Sequence, residues 1–171
     1  MFELIFYGGK EMEIRHAKKG DLDAIVAIEK MGFTKAQAGT KEQYNDRIDK
    51  LSDTFLVAQK QDEIVGFIVG PVVNEKYVED WMYEQTPKNL KQGGNQIIFT
   101  VAVHENYRHQ GIGSQLLKAI EVLARANQRK TISLTCLEDK IPFYEKNGFK
   151  NHGIAASTHG GDIWYNMVKT I

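Results

Sequence analysis

The spacing of apolar and polar residues divides the chain into alternating strands and helices. A short strand is predicted to begin at Ile14. Gly20-Asp21 then precedes a helical stretch in which Leu22, Ile25, Val26 and Ile28 fall largely on one face, and Gly32 ends it. Thr40-Lys-Glu-Gln43 reads as a capping box opening a second helix that runs to about Leu51. Two strands, Phe55–Gln59 and Ile64–Val73, flank a turn at Gln61-Asp62-Glu63. Residues 76–85 form an aromatic-rich amphipathic segment, and Thr86–Gly94 is polar and loop-like. Ile97–Val103 is one continuous apolar run suited to a strand buried on both faces. From Gly113 onward, Leu116, Leu117, Ile120, Leu123 and Ala124 recur at helical spacing, with Glu121 and Arg125 paired on the other side. A strand at Thr131–Thr135 and a short helix opened by Pro142 and stopped at Gly148 follow. Phe149–Ala156 and Ile163–Val168 then flank His159-Gly160-Gly161, a hairpin signal. The order indicates one mixed α/β domain.

Composition narrows the class of protein. The chain has 171 residues, 42% of them apolar, so a packed globule is expected. Lys plus Arg and Asp plus Glu balance at 22 each, which leaves no overall electrostatic footprint for nucleic acid or an anionic membrane. Cys136 is the single cysteine; it permits no internal disulfide and has no metal-binding company, so no metal is expected. No apolar run has the length of a membrane span, and the N-terminus lacks a signal-peptide pattern. The expectation is a cytoplasmic protein. Residues 1–11 precede a second methionine, Met12, and are set apart as an N-terminal extension to a domain of residues 12–171.

The most informative segment is Val101-Ala-Val-His-Glu-Asn-Tyr-Arg-His-Gln-Gly-Ile-Gly-Ser114. It joins an apolar strand to a helix through a turn in which Gly111 and Gly113 allow close backbone approach. The first amides of the helix then point outward, where the helix dipole favours an anion, and Arg108 adds a cation. The pattern suits a pyrophosphate. It lacks the Gly-Lys-Ser/Thr of a Walker loop, and Leu116 stands where a dinucleotide fingerprint needs another glycine.

Arg108-His-Gln-Gly-Ile-Gly113 resembles the Arg/Gln-x-x-Gly-x-Gly/Ala signature of the GNAT N-acetyltransferase family. Ile141-Pro-Phe-Tyr-Glu-Lys-Asn-Gly-Phe149 resembles the second hallmark of that family at a fitting distance. Within the family, Leu134–Phe149 is most similar to the arylalkylamine N-acetyltransferases, as is Ala102-Val-His104. Those relatives carry two histidines on the strand before the loop, where this chain has Ile97 and Phe99. The resemblance implies a central mixed, mostly antiparallel sheet flanked by helices. It also implies direct transfer of acetyl from acetyl-CoA to a primary amine in a ternary complex. The acceptor is then an arylalkylamine or another small amine, with peptides, proteins and polyamines as alternatives, and a non-catalytic CoA-binding module as the reading from another class. A homodimer is carried as a further expectation that no residue pattern specifies.

The resemblance also assigns roles. Residues Arg108, His109, Gln110, Gly111, Ile112, Gly113 and Ser114 hold the pyrophosphate. A backbone N–H from Val101, Ala102 or Val103 meets the acetyl carbonyl. Tyr144 matches the tyrosine near the thioester sulfur and is the candidate general acid, since a phenol stays protonated at neutral pH. Glu29 falls on the apolar face near the end of the first helix, which makes it the candidate base or amine anchor; Glu138, Asp139 and a water chain compete for that role. His104 and His109 flank the loop and read as solvated, and His152 and His159 belong to no motif. Cys136 lies inside a strand with no basic partner and reads as a buried thiol. Tyr77, Trp81, Met82 and Tyr83 either wall the amine site or dock on the sheet.

Overall fold

The computed structural model describes residues 4–7 and 10–171. The chain forms two compact units, Met1–Val69 with Thr100–Ile120, and Gly70–Phe99 with Glu121–Ile171.

Among the described residues the first unit holds five antiparallel strands: β1 (Leu4–Tyr7), β2 (Lys10–His16), β3 (Phe55–Lys60), β4 (Glu63–Val69) and β7 (Thr100–Val103), side by side in that order. The strand expected from Ile14 therefore begins earlier, at Lys10. α1 (Leu22–Gly32) buries Ile25, Ile28 and Glu29, and α2 (Lys41–Lys50) buries Tyr44, Arg47 and Ile48. The expected capping box is present. Thr40 accepts from the Gln43 N–H while the Gln43 side chain accepts from the Thr40 N–H, satisfying two amides of the first turn. Phe55, Leu56, Val57 and Ala58 are all buried, because β3 lies inside the sheet with both faces covered. The ring of Tyr44 meets those of Phe55 and Phe67 at 6.1 and 5.5 Å, an aromatic cluster under the two helices.

Gly66 on β4 decides where the helix after the Gly-rich turn can pack. A Cβ there would stand 3.0 Å from the Ala102 carbonyl oxygen and 3.3 Å from both Ile112 and Leu116. The bare backbone lets the first turns of α4 (Ile112–Ala126) lie against β4 next to β7.

The second unit holds β5 (Val72–Val73), β6 (Asn95–Ile98), β8 (Thr131–Cys136), β10 (Tyr165–Thr170) and β9 (Lys150–Ile154), in the spatial order β5-β6-β8-β10-β9. β6 and β8 are parallel, and the other pairs are antiparallel. The unit also carries α3 (Asp80–Glu84) and α5 (Ile141–Lys146).

Two of the expected strands are broken. Ile64–Val73 stops at Val69 and resumes at Val72, and Ile97–Val103 bends at Phe99. The cause of the first break is Gly70-Pro71. A Cβ on Gly70 would fall 1.8 Å from the Ile97 carbonyl oxygen, and Pro71 has no N–H for a ladder. The buried Gln96 amide donates to the carbonyls of Gly70 and Ile97 at 2.9 and 2.8 Å, and the Ile97 N–H donates to the Pro71 carbonyl. The freed backbone groups are thereby satisfied away from water. The terminal hairpin is present, but its turn is longer than expected: β9 ends at Ile154 and β10 starts at Tyr165. A tight turn at His159–Gly161, with Gly160 and Gly161 at positive φ, lies between them.

Candidate functional site

In the first unit the site begins at the edge strand. The His104 N–H donates to the Val65 carbonyl, so the backbone of His104 is turned toward β4. Alternation along a strand turns Ala102 the same way and directs the backbone groups of Val101 and Val103 to the other side. The Val103 carbonyl bears this out, since it accepts from Arg108 Nε at 3.2 Å. Of the three residues expected to offer an N–H, Val101 and Val103 present theirs on the edge away from β4, and Ala102 does not.

The chain then turns through Glu105–Tyr107, where His104 Nδ1 accepts from the Asn106 N–H at 3.1 Å. His104 is thus a cap, with its ring edge-on to Tyr107, and is not simply solvated. His109 and Gly111 take left-handed backbone angles, φ 62° and 80°. They bring the chain into the first turn of α4 with its amides leading. Those amides have no partner within the helix, and α4 is 15 residues long, so its positive end is well developed. Arg108, His109, Gln110 and Gly111 are exposed, and Gly113 and Ser114 are half-buried. This cradle fits a diphosphate.

Arg108 does more than add charge. Its guanidinium donates to the Met31 carbonyl at 3.1 Å as well as to Val103, tying the C-terminus of α1 to the end of β7. Lys60, which drew no attention in the sequence, reaches Gln110 Oε1 at 3.4 Å and stands 5.5 Å over the Tyr107 ring. The Tyr107 hydroxyl donates to Glu63 at 2.6 Å, so the β3–β4 turn is laced to the Gly-rich loop. Nothing in the spacing of Lys60 and Glu63 signals this; it follows from the pairing of distant strands.

Glu29 lies on the apolar face of α1, as its spacing predicts, and only 3% of it is exposed. Its Oε1 accepts from the Gly39 N–H at 3.0 Å. Beside it Tyr44 is fully buried, with its hydroxyl 3.2 Å from Thr100 Oγ1 at the start of β7. Burial, reinforced by the Glu29 carboxylate, pushes the Tyr44 phenol well above its ordinary range.

In the second unit Tyr144 sits on α5, half-buried, with Phe143 and Phe149 edge-on to its ring at 5.0 and 5.8 Å. The helix opens with Pro142 in its first turn and closes at Gly148, φ 89°. Lys169 donates to the Asn147 carbonyl and pairs with Glu121, which holds the end of this short helix. Burial pushes the Tyr144 phenol above its ordinary range, helped by the nearby Cys136 and Tyr83. The Cys136 thiol is itself pushed up to about 12 by burial and by Asp139, so it stays protonated and is a poor nucleophile. Glu138 and Asp139 are exposed.

The aromatic segment divides. Met82 docks in the core, Tyr77 and Trp81 are 38% and 42% exposed, and Tyr83 is half-buried. Tyr83 meets Phe99 at 4.7 Å and stacks on His159 at 5.3 Å, only 9° from parallel. His152 is exposed and bonded to the Tyr77 hydroxyl at 3.0 Å.

The family model for the GNAT acetyltransferase domain matches residues 52–151, which run from β3 to the first residues of β9 and include the Gly-rich loop, α4 and Tyr144. The chain belongs to the GNAT acetyltransferases and is an acyltransferase. It is 27% identical over 154 residues to an N-alpha-acetyltransferase from Sulfurisphaera tokodaii, covering 83% of this chain and 82% of that one. It is 28% identical over 153 residues to serotonin N-acetyltransferase from Mesocricetus auratus, covering 86% and 72%. Among solved structures, Naa50 of Arabidopsis thaliana in complex with a bisubstrate analogue, CoA-Ac-MVNAL, shares the fold with a TM-score of 0.72 at 20% identity, covering 94% and 99%. Among the described residues no helix is long and apolar enough to cross a membrane.

Proposed function

We propose that the protein transfers the acetyl group of acetyl-CoA directly to a primary amine. The observation that carries this reading is the join between β7 and α4. Left-handed turns at His109 and Gly111 deliver the first amides of a long helix to one place, just after a strand with two outward N–H groups. The diphosphate of the donor is assigned to residues 108–114. The N–H of Val101 or Val103 is assigned to the acetyl carbonyl, whose oxygen gains negative charge as the amine attacks. Tyr144 donates its hydroxyl proton toward the departing sulfur. The C–N bond forms, the C–S bond breaks, the Tyr144 proton ends on the thiolate, and the proton lost from nitrogen restores the Tyr144 hydroxyl.

Glu29 is assigned a positioning role. Its carboxylate is committed to the Gly39 N–H, so it fixes the segment between α1 and α2 and, beside Tyr44 and Thr100, the start of β7. The acceptor is a small amine, an arylalkylamine among them. A second reading, the α-amine of a peptide or protein, draws support from the relative in Sulfurisphaera tokodaii. Support for the arylalkylamine comes from the likeness to serotonin N-acetyltransferase.

Calorimetry with acetyl-CoA tests the loop. Gly111→Glu puts a side chain and a negative charge where φ is 80° and an anion is to bind. We expect affinity to fall at least a hundredfold. Unchanged affinity removes the loop from the donor site.

A further inference from the structure

Half of the loop between β9 and β10 is exposed, yet one of its residues is held at both ends of its peptide. Thr158, Gly160, Gly161 and Ile163 face solvent. The His159 N–H donates to Ser157 Oγ at 3.2 Å, and the His159 carbonyl accepts from Trp164 Nε1 at 2.7 Å. Ser157 and Trp164 are each only 8% exposed. Ser157 in turn donates to Asp80 at the start of α3, the helix that carries Tyr83. Buried polar groups are costly to place, and here they converge on a single loop residue. Gly160 and Gly161, at φ 67° and 76°, turn the chain back immediately afterward. The result is an imidazole laid flat on Tyr83, whose ring also meets Phe99 at 4.7 Å, two residues before Val101 in the chain.

Such fixing is more than a core needs, because His159 is only half-buried. An acceptor amine arrives at neutral pH as an ammonium and must lose a proton before its nitrogen can attack. Glu29 is poorly placed for that task, being 3% exposed and bonded to Gly39. Cys136 and Tyr144 both hold their protons.

We infer that His159 takes the first proton from the acceptor ammonium, with Tyr83 holding the imidazole in place. This rests on the acetyl-transfer reading above. In balance, R–NH3+ gives one proton to the imidazole, which releases it to solvent. The neutral amine then forms the C–N bond, the C–S bond breaks, the Tyr144 proton ends on the thiolate, and the second proton from nitrogen restores the Tyr144 hydroxyl. The acceptor is therefore bordered by aromatic rings, which favours amines carried on an apolar or aromatic body. The ionisable groups on the elements that meet His159 are Asp80, Tyr83 and Glu84 of α3 and Asp162 of its own loop.

The test compares His159→Ala and His159→Phe with the wild-type protein. The phenylalanine keeps a ring on Tyr83 and removes the chemistry. We expect both to lose about a hundredfold in kcat/KM for the amine, the usual scale for an acid–base group, with acetyl-CoA affinity unchanged. Added imidazole should restore part of the alanine variant's rate. The imidazole resonance of His159 in wild-type protein should shift on adding the amine without acetyl-CoA. Full activity in His159→Phe would overturn the inference and leave a packing role. So would an amine that leaves the imidazole resonance unmoved. Absence of amine-dependent thiol release in the wild-type protein would strike instead at acetyl transfer itself.

Discussion

The guanidinium of Arg108 donates to the carbonyl of Met31, a residue 77 positions earlier in the chain. The same side chain holds Val103, so one planar fork spans the end of α1 and the end of β7. A lysine offers the charge without the fork. We predict that Arg108→Lys weakens acetyl-CoA binding about tenfold, a loss of one to two hydrogen bonds at ~1 kcal/mol each. If calorimetry gives wild-type affinity for the lysine variant, charge alone is what the loop needs from this position.

Tyr144→Phe keeps the ring packed between Phe143 and Phe149 and deletes only the hydroxyl. We predict a fall in kcat of about 10² to 10⁴ with little change in acetyl-CoA affinity. Burial, with Cys136 and Tyr83 alongside, holds the wild-type phenol above its ordinary value of 10. Ionisation of Tyr144 should therefore cause no alkaline loss of activity below about pH 10. A pH–rate profile with a Tyr144-dependent fall between pH 8 and 9, absent from the phenylalanine variant, would refute this assignment.

Glu29→Gln leaves an oxygen for the Gly39 N–H but removes the charge beside Tyr44. We predict a folded protein whose KM for the amine rises severalfold while the pH dependence of kcat keeps its shape. A carboxylate acting as base would instead lose an acidic limb, and steady-state kinetics across pH separates the two.

The Arg15–Asp21 pair ties β2 to the start of α1, with side chains 14% and 10% exposed. Burial alone pushes the Asp21 carboxyl up, but hydrogen bonds from Arg15 and from the Lys18 N–H outweigh it and hold it below 3.8. A carboxyl lowered in the folded state adds stability above its unfolded value and loses it as pH falls through the folded one. Asp21→Asn should thus cost about 1–2 kcal/mol at pH 7, between an exposed and a buried pair. The gap should narrow below about pH 4. Thermal melts of both proteins at pH 7 and pH 3 measure it, and an equal gap at both would count against an ionised Asp21.

Local patterns were legible in the sequence because local forces set them. The capping box at Thr40, the helical stripe of Leu116, Leu117 and Ile120, and the glycines of the phosphate loop all act within a few residues. Gly70-Pro71 stands as a breaker inside Ile64–Val73, but the close approach of Gly70 to Ile97 was not legible, and the bend at Phe99 has no signal in the run Ile97–Val103. Apolar runs report burial and do not say on which sheet it occurs.

The candidate site divides along the same line. Gly111, Gly113 and Tyr144 stand in short motifs and could be found by inspection. His159 could not, because its significance lies in Ser157, Trp164, Asp80 and Tyr83, two of which come from a helix some 75 residues earlier in the chain. Arg108 was legible as a cation but not as a clamp, since its carbonyl partners carry no side-chain signature.

The most direct test of acetyl transfer is free thiol released from acetyl-CoA in the presence of arylalkylamines, polyamines and short peptides, with the product weighed by mass spectrometry. We predict thiol release that depends on at least one amine class, stoichiometric with an N-acetylated product and lost in Tyr144→Phe. Acetyl-CoA binding without amine-dependent thiol from any class would contradict it and point to a protein that holds the donor without using it.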